Sequence, residues 1–164
     1  MPVFIKLWNN HPTVTGEGYL LDTRQYPNQC AVKLYAALQR SGVNVRSFPG
    51  QLSWQKDKPK YAIRAQQLAD WLASPANPVQ SKVEKYSGKE VFEKIEGRTG
   101  IVFFRNYWGT GTQGDHIDLW NGSRLTDWRT WALIHIRLGE YGLQNLSSRA
   151  DLRAAESVWF WPIN

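Results

Sequence analysis

Cysteine is almost missing from this 164-residue sequence, which contains only Cys30. A single cysteine excludes an internal disulfide and a metal site built from several thiolates. Long hydrophobic runs are missing too, since no apolar stretch approaches the ~20 residues that span a bilayer. Segment 1–10 alternates apolar and polar residues and lacks the apolar region of a secretory signal. We therefore expect no membrane insertion, and either a cytoplasmic protein or one exported by a machine that needs no cleaved leader.

Acidic residues are the minority charge. The chain has 20 Lys and Arg against 14 Asp and Glu, a formal net charge of +6, and a pI near 9.5. Such a charge suits a polyanionic partner: nucleic acid, a membrane surface or an acidic cell-wall polymer. The basic residues are spread along the chain, however, without a nucleic-acid motif or a basic stripe interleaved with aromatics. We expect no specific nucleic-acid binding.

The length fits one compact domain over residues 1–164, and neither a repeat nor a linker divides it. Helical periodicity and strand patterns define the elements. The predicted helices cover 28–41, 61–73, 87–96 and, most weakly, 130–138, and the predicted strands cover 100–108, 115–120, 123–127 and 157–161. This order predicts an α+β fold in which the N-terminal cysteine-bearing helix packs on an antiparallel sheet.

Cys30 occupies the first turn of the helix predicted over 28–41, and Asn28 is the expected N-cap. The helix dipole and the free N–H groups of a first turn favour the thiolate, which is the reactive form of cysteine. A lone cysteine is more often a small buried hydrophobic residue. Its position alone leaves both interpretations open.

His116 begins a strand that Asn121-Gly122 turns back on itself. Counting outward from a two-residue turn places His116 opposite Asp127, and opposed residues share a sheet face with Cβ atoms roughly 4.5–5.5 Å apart. The hairpin therefore predicts the imidazole–carboxylate half of a catalytic triad. An ordinary surface cross-strand pair is the alternative, and a register slipped by one residue would remove the contact.

Asp118 is the rival carboxylate. It follows His116 by two residues, roughly 6.8 Å along the strand at the usual rise, which suits a hydrogen bond to the ring less well. We expect Asp118 to line the site or bind a substrate amine, and Asp127→Ala to cost far more activity than Asp118→Ala. Further candidates for substrate or oxyanion binding are Asn28, Gln29 and Trp120.

Two other histidines carry weaker signals. His11 lies in a turn-like Asn-Asn-His-Pro context, and His135 lies in a weak helical pattern. No metal-ligand spacing links the three histidines, and the glycine-rich GTGTQG run lacks the context and the Lys-Ser/Thr ending of a phosphate loop. We expect neither a metal nor a cofactor.

At these residues the chain resembles the type VI secretion amidase effectors, specifically the fourth amidase family. The similar segments are LWNNHP near the N-terminus, NQCAVKLYAAL around Cys30, GDHIDLWNG around His116, TDW at Asp127 and the closing VWFWP. The resemblance covers nearly the whole chain. It implies a papain-like, NlpC-type peptidase fold with Cys30, His116 and Asp127 as the catalytic residues. Some relatives carry a cysteine pair flanking the Asp, where this chain has Leu125 and Arg129.

The resemblance also implies an antibacterial enzyme that cleaves peptidoglycan stem peptides between D-glutamate and meso-diaminopimelate. The type VI secretion apparatus delivers such effectors from the producer's cytoplasm into a rival's periplasm, and a cognate periplasmic immunity protein protects the producer. Cys30, deprotonated by His116, would attack the amide carbonyl, and the Cys30 backbone N–H would bind the oxyanion. The alternatives are a non-catalytic, basic, Trp-rich module that binds polyanions, and a cysteine hydrolase acting on proteins inside the producing cell.

Overall fold

A computed structural model describes residues 2–105, 115–127 and 157–164. Within these ranges the helices are α1 (Phe4–Asn9), α2 (Pro12–Thr15), α3 (Cys30–Arg40), α4 (Ala65–Leu72) and α5 (Val91–Ile95), and the strands are β1 (Glu84–Tyr86), β2 (Gly100–Arg105), β3 (His116–Trp120) and β4 (Ser157–Pro162). The helix predicted over 130–138 lies outside the described residues. None of the described helices is long and apolar enough to cross a bilayer.

The strands form a sheet in the order β1-β4-β2-β3, and each neighbouring pair is antiparallel. The predicted α+β class with an antiparallel sheet is thereby confirmed. β2 runs through the middle of this sheet, paired with β4 on one side and β3 on the other. Its first residue is Gly100, where a Cβ would collide with the Trp161 backbone oxygen. This close approach requires glycine.

Helix α3 begins at Cys30 and ends at Arg40. Its apolar residues recur at helical spacing, and Ala31, Leu34 and Leu38 are fully buried. At the other end, Gly42 has φ +85°, and the Val43 N–H donates to the Leu38 carbonyl at 3.0 Å. This left-handed glycine closes the helix in a Schellman motif.

Two apolar clusters cover the two faces of the sheet. The larger joins α1, α3 and α4 to side chains of β2, β3 and β4, with Leu7, Leu34, Leu68, Phe103, Ile117 and Trp161 among its fully buried members. The smaller covers the opposite face and contains Val91, Ile95, Val102, Phe104, Trp120, Leu125, Val158 and Phe160. Since α3 belongs to the larger cluster and contacts β3, the packing brings the start of α3 toward that strand.

The return strand predicted over 123–127 is wrong. The Asn121 N–H donates to the Arg124 carbonyl at 3.1 Å, and the Asn121 Oδ1 accepts from the Ser123 and Arg124 N–H groups at 3.0 and 2.9 Å. The asparagine side chain thus organises a four-residue turn. Trp120 pairs with Leu125 through an isolated bridge instead of with Ser123, so the register differs from the predicted one by two residues.

Candidate active site

A cavity of about 1170 Å³ opens beside the start of α3 and the start of β3. Cys30, His116, Asp118 and Asp127 all lie on its wall. The three residues predicted as catalytic and their rival carboxylate therefore share one cavity. Its lining also includes His11, Thr13, Tyr19, Tyr26, Asn28, Gln29, Lys33, Trp54, Arg64, Arg105, Asp115 and Thr126.

Cys30 is a half-buried free cysteine at the first position of α3. Its backbone N–H donates to the Asn28 Oδ1 at 3.2 Å, so the exposed Asn28 side chain satisfies one of the free donors of the helix start. The same contact occupies the N–H that was expected to bind an oxyanion. The N-cap predicted at Asn28 is one residue later, at Gln29, whose side chain makes no capping hydrogen bond.

His116 lies between Cys30 and a buried carboxylate. Its ring stacks on Phe104 with centroids 6.4 Å apart, and its Nε2 faces the Asp118 Oδ2 at 3.7 Å. Because Nε2 is directed at Asp118, Nδ1 is the ring nitrogen left for the sulfur. Burial by itself would lower the pKa of His116, but its interactions with Asp118 and with Cys30 outweigh burial and raise the pKa to about 10. The surroundings therefore favour an imidazolium.

Asp118 is buried, with a side chain only 3% exposed. Its Oδ1 accepts from the Leu119 N–H at 2.7 Å and from the Thr126 hydroxyl at 2.5 Å. Burial favours the neutral acid, yet the contacts with His116, His11 and Thr126 hold the pKa of Asp118 below its usual value. The carboxylate is thus stabilised in its ionised form.

The spacing argument overestimated the distance between Asp118 and the His116 ring, although the contact is longer than a hydrogen bond. It treated the 6.8 Å strand rise as the separation between the functional groups. A histidine ring is long enough to lean along the strand, and the two side-chain atoms are 3.7 Å apart. The His116 Nε2 and the Asp118 Oδ2 are also buried atoms with no hydrogen-bond partner among the described residues.

Asp127 lies half-buried on the cavity wall, beside Thr126. The hairpin count that placed it directly opposite His116 does not hold, because Trp120 pairs with Leu125. The resemblance is therefore the only sequence evidence for Asp127 as the third catalytic residue, and this assignment stays a prediction.

Gln29 and Trp120 have structural contacts that were not predicted. The Gln29 Nε2 donates to the Leu21 and Tyr26 carbonyls at 2.8 and 3.1 Å, and its Oε1 accepts from the Leu20 and Leu21 N–H groups. Both amide hydrogens of Gln29 are thereby used, so this side chain is not free to donate to an oxyanion. Trp120 is 2% exposed and belongs to the smaller core cluster, away from the cavity lining.

His11 is the member of the site that sequence reasoning treated as weak. It is 2% exposed, and its Nε2 lies 3.6 Å from the Asp118 Oδ1. The one sequence signal for His11 was its place in the LWNNHP segment, which is part of the resemblance. No helix or strand spacing connects this segment to His116. Among residues 2–105, 115–127 and 157–164, no group of three or more His, Cys, Asp or Glu side chains could hold a metal ion.

Comparison with known protein families gives a match to most of the chain. The sequence model described as type VI secretion system amidase effector protein 4 matches residues 26–161, a range that includes Cys30, His116 and Asp127. The chain belongs to this family. No curated protein matches it significantly. Membership in the amidase effector 4 family makes the chain a type VI secretion amidase effector.

Solved structures of amidase effector 4 proteins, named Tae4, have the same fold. The Enterobacter cloacae Tae4–Tai4 effector–immunity complex matches with a TM-score of 0.65 at 20% identity, covering 100% of this chain and 99% of that one. Salmonella typhimurium Tae4 bound to the Tai4 immunity protein of Enterobacter cloacae matches with a TM-score of 0.64 at 17% identity, covering 100% of both chains. Enterobacter cloacae Tae4 without the immunity protein matches with a TM-score of 0.62 at 19% identity, covering 100% and 98%.

Proposed function

We propose that this chain is an antibacterial cysteine amidase that hydrolyses the bond between D-glutamate and meso-diaminopimelate in peptidoglycan stem peptides. One observation carries the proposal: a cysteine at the start of a buried helix interacts with an imidazole whose other nitrogen faces a buried carboxylate. This is the order of groups that nucleophilic amide hydrolysis by a thiol requires. The substrate bond is carried over from the resemblance.

In the proposed reaction, His116 holds the proton of Cys30, and the thiolate attacks the amide carbonyl carbon. The tetrahedral intermediate collapses to a thioester as His116 donates its proton to the leaving amine. His116 then removes a proton from water, which attacks the thioester and releases the carboxylic acid and the thiol. The imidazolium favoured by Asp118 and Cys30 supplies the proton that the leaving amine needs.

The proposal requires an oxyanion donor at the start of α3. The Cys30 N–H is in place, but its bond to the Asn28 Oδ1 has to open when substrate binds. The Asn28 side chain is exposed, so it can rotate into solvent at a small cost. Because both amide hydrogens of Gln29 are bonded to backbone carbonyls, we propose no oxyanion role for Gln29.

The third catalytic role involves two carboxylates. Asp118 contacts the His116 ring and favours its charged form. Asp127 lies on the same wall, and the resemblance assigns it the role of orienting His116. On the resemblance alone we propose Asp127 as the triad carboxylate; because the His116 Nε2 faces Asp118, Asp118 is the competing candidate for that role, and substitution of each decides between them.

The net charge of the chain suits an anionic peptide. On the cavity lining Lys33, Arg64 and Arg105 are matched by three aspartates, Asp115, Asp118 and Asp127, whereas the whole chain carries a formal net charge of +6. Stem peptides carry several carboxylates, so this charge would favour their approach and make association sensitive to salt.

We further propose a papain-like, NlpC-type arrangement within one domain over residues 1–164. The features that support it are the cysteine at the start of α3, the histidine on β3 and the contact between these two elements. The structural relatives named Tae4 are found in complexes with Tai4 immunity proteins. A cognate periplasmic immunity protein that covers the cavity, and type VI delivery into a rival's periplasm, are therefore part of the proposal.

Digestion of purified peptidoglycan tests the proposed function. The wild-type protein should release muropeptides that end in D-glutamate with a newly freed γ-carboxylate, identified by chromatography and mass spectrometry. Cys30→Ala should release none, because alanine provides no nucleophile, and its thermal unfolding midpoint should match that of the wild type. Hydrolysis by Cys30→Ala, or no hydrolysis by a folded wild-type protein, would overturn the proposal.

A non-catalytic polyanion-binding module is the second candidate function, favoured by the exposed Trp54 and Tyr19 on the cavity lining and by the net positive charge. Alkylation of Cys30 by iodoacetamide at pH 6 separates the two candidates, because an activated thiolate reacts fast there and an ordinary thiol does not. Slow alkylation that accelerates only at pH 8–9 would favour the binding module.

A further inference from the structure

His11 has no catalytic role in the proposed reaction. It lies next to Asp118, on the side opposite His116. Its Nε2 is 3.6 Å from the Asp118 Oδ1, and the His116 Nε2 is 3.7 Å from the Asp118 Oδ2. One buried carboxylate thus stands between two imidazoles. Both distances are slightly longer than a hydrogen bond, as polar contacts in unliganded active sites often are.

The tautomer of His11 is fixed by helix α2. His11 is the N-cap of this helix, and its Nδ1 accepts from the Thr13 N–H at 3.2 Å. Since the Nδ1 lone pair is occupied, the proton of the neutral ring lies on Nε2, where it points at Asp118. Helix capping and the active site therefore use opposite sides of one imidazole.

His11 also stays neutral beside a negative charge. Burial lowers its pKa to about 4, although the charge of Asp118 opposes this. The other charged or titratable groups that act on it, Lys33 and Arg40 from α3 and His116 from β3, lower its pKa further. A neutral donor orients the carboxylate without cancelling its charge, and that charge remains available to His116.

The two oxygens of Asp118 have different surroundings as a result. Oδ1 has the Leu119 N–H, the Thr126 hydroxyl and the His11 Nε2 around it, whereas Oδ2 has no hydrogen-bond partner among the described residues. We propose that His11 is a positioning residue for the active site: it holds Asp118 Oδ1 so that Oδ2 stays directed at His116. This inference rests on the proposed function and adds a fifth side chain to Cys30, His116, Asp118 and Asp127.

Two substitutions of His11 separate its two roles. Asparagine is a good N-cap and keeps an acceptor for the Thr13 N–H, but it is too short to present a donor to Asp118. Glutamine extends an amide N–H to about the position of Nε2. His11→Asn should therefore lower kcat about tenfold with little change in KM, which is the scale of losing one buried polar contact with a charged group. His11→Gln should retain most of the wild-type kcat.

The pH dependence of hydrolysis and of Cys30 alkylation distinguishes a positioning role from simple destabilisation, which would not shift either profile. A weaker hold on Asp118 weakens the stabilisation of the His116 imidazolium, so the alkaline limb of kcat should move to lower pH in His11→Asn. Alkylation of Cys30 by iodoacetamide should become fast only at higher pH, because the thiolate loses part of the stabilisation by its cationic partner. Thr15→Val is the matched control, because Thr15 bonds to Pro12 and Glu17 at the end of α2 without touching Asp118. This control should leave both profiles unchanged.

Alkylation needs no substrate, so its result stands even if the proposed peptidoglycan substrate is wrong. Loss of hydrolysis by the wild type would overturn the proposed function alone. A wild-type kcat in His11→Asn, together with wild-type pH profiles of hydrolysis and of Cys30 alkylation, would overturn the role of His11. Equal losses in His11→Asn and His11→Gln, in proportion to their unfolding midpoints, would also overturn it by reducing His11 to a structural residue.

Discussion

At the residue scale, Asp118 and Asp127 are two carboxylates on one cavity with different surroundings. Asp118 is buried against His116, His11 and Thr126, and Asp127 is half-buried on the same cavity wall. Asp118→Asn should lower kcat at least tenfold, because a neutral amide no longer stabilises the His116 imidazolium. Asp127→Asn should lower it by at least as much if Asp127 is the third member of the triad. Steady-state hydrolysis of a stem peptide measures both.

Asp70→Asn is the matched control for the change of charge, because Asp70 is exposed on α4 and accepts a hydrogen bond from Gln66. Its kcat should equal that of the wild type. A wild-type kcat in Asp127→Asn would remove Asp127 from the proposed triad and leave Asp118 as the carboxylate that acts on His116. A wild-type kcat in Asp118→Asn would contradict the role proposed for the buried pair.

Local sequence identified the nucleophile and the base of the proposed site but not their full surroundings. Cys30 and His116 each begin an element whose periodicity is visible in the sequence, so their positions were predictable. The contact between His11 and Asp118 joins residues more than a hundred positions apart. It depends on how α2 packs near α3 and β3, which no local pattern specifies.

At the element scale, Gln29 joins the segment that precedes α3 to the start of this helix through hydrogen bonds. Its buried amide makes four hydrogen bonds to backbone groups of Leu20, Leu21 and Tyr26. Gln29→Leu would leave these groups buried without partners, and each such loss costs about 1–3 kcal/mol. Because four groups lose their partner, we expect the free energy of unfolding to fall by at least about 4 kcal/mol in urea titrations, with a lower rate of Cys30 alkylation.

Gln39→Leu, an exposed glutamine on the same helix, is the control and should change the free energy of unfolding by less than about 0.5 kcal/mol. If Gln29→Leu were as stable as this control, the amide bonds would not hold the segment before α3.

The helices and strands also differ in how well the sequence specified them. The strong pattern of α3 and the β-branched and aromatic runs of β2 and β4 predicted those elements to within a few residues. The Asn121-Gly122 turn was misjudged because the Asn121 side chain bonds to the N–H groups of Ser123 and Arg124, which opens a two-residue turn into a longer one. The short helices α1 and α2 gave no pattern long enough to be predicted.

At the scale of the whole molecule, His11 gives stability a predictable dependence on pH. Its pKa is about 4 in the folded protein against an ordinary value of 6.5. Between these values the unfolded chain binds more protons than the folded one, so stability rises with pH through this window and is lost as pH falls from 6.5 to 4. The change attributable to His11 is about 3 kcal/mol.

Urea unfolding measured at intervals from pH 4 to 7 tests this expectation. His11→Gln cannot titrate in the window and should have a shallower dependence than the wild type. The carboxylates act at lower pH: the Glu17 pKa is lowered to about 2 by its hydrogen bonds to Arg40 and Thr15. Parallel curves for wild type and His11→Gln would show that His11 does not titrate as a buried group.

The single cysteine of this chain lies on the cavity wall, and this determines how the protein responds to oxidants. Peroxide converts a reactive thiolate to a sulfenic acid, which many enzymes rescue by forming a disulfide with a neighbouring thiol. Cys30 has no second cysteine in this sequence to do so. Reduction of the sulfenic acid therefore depends on thiols from other molecules, and further oxidation to the sulfinic acid would inactivate the protein irreversibly.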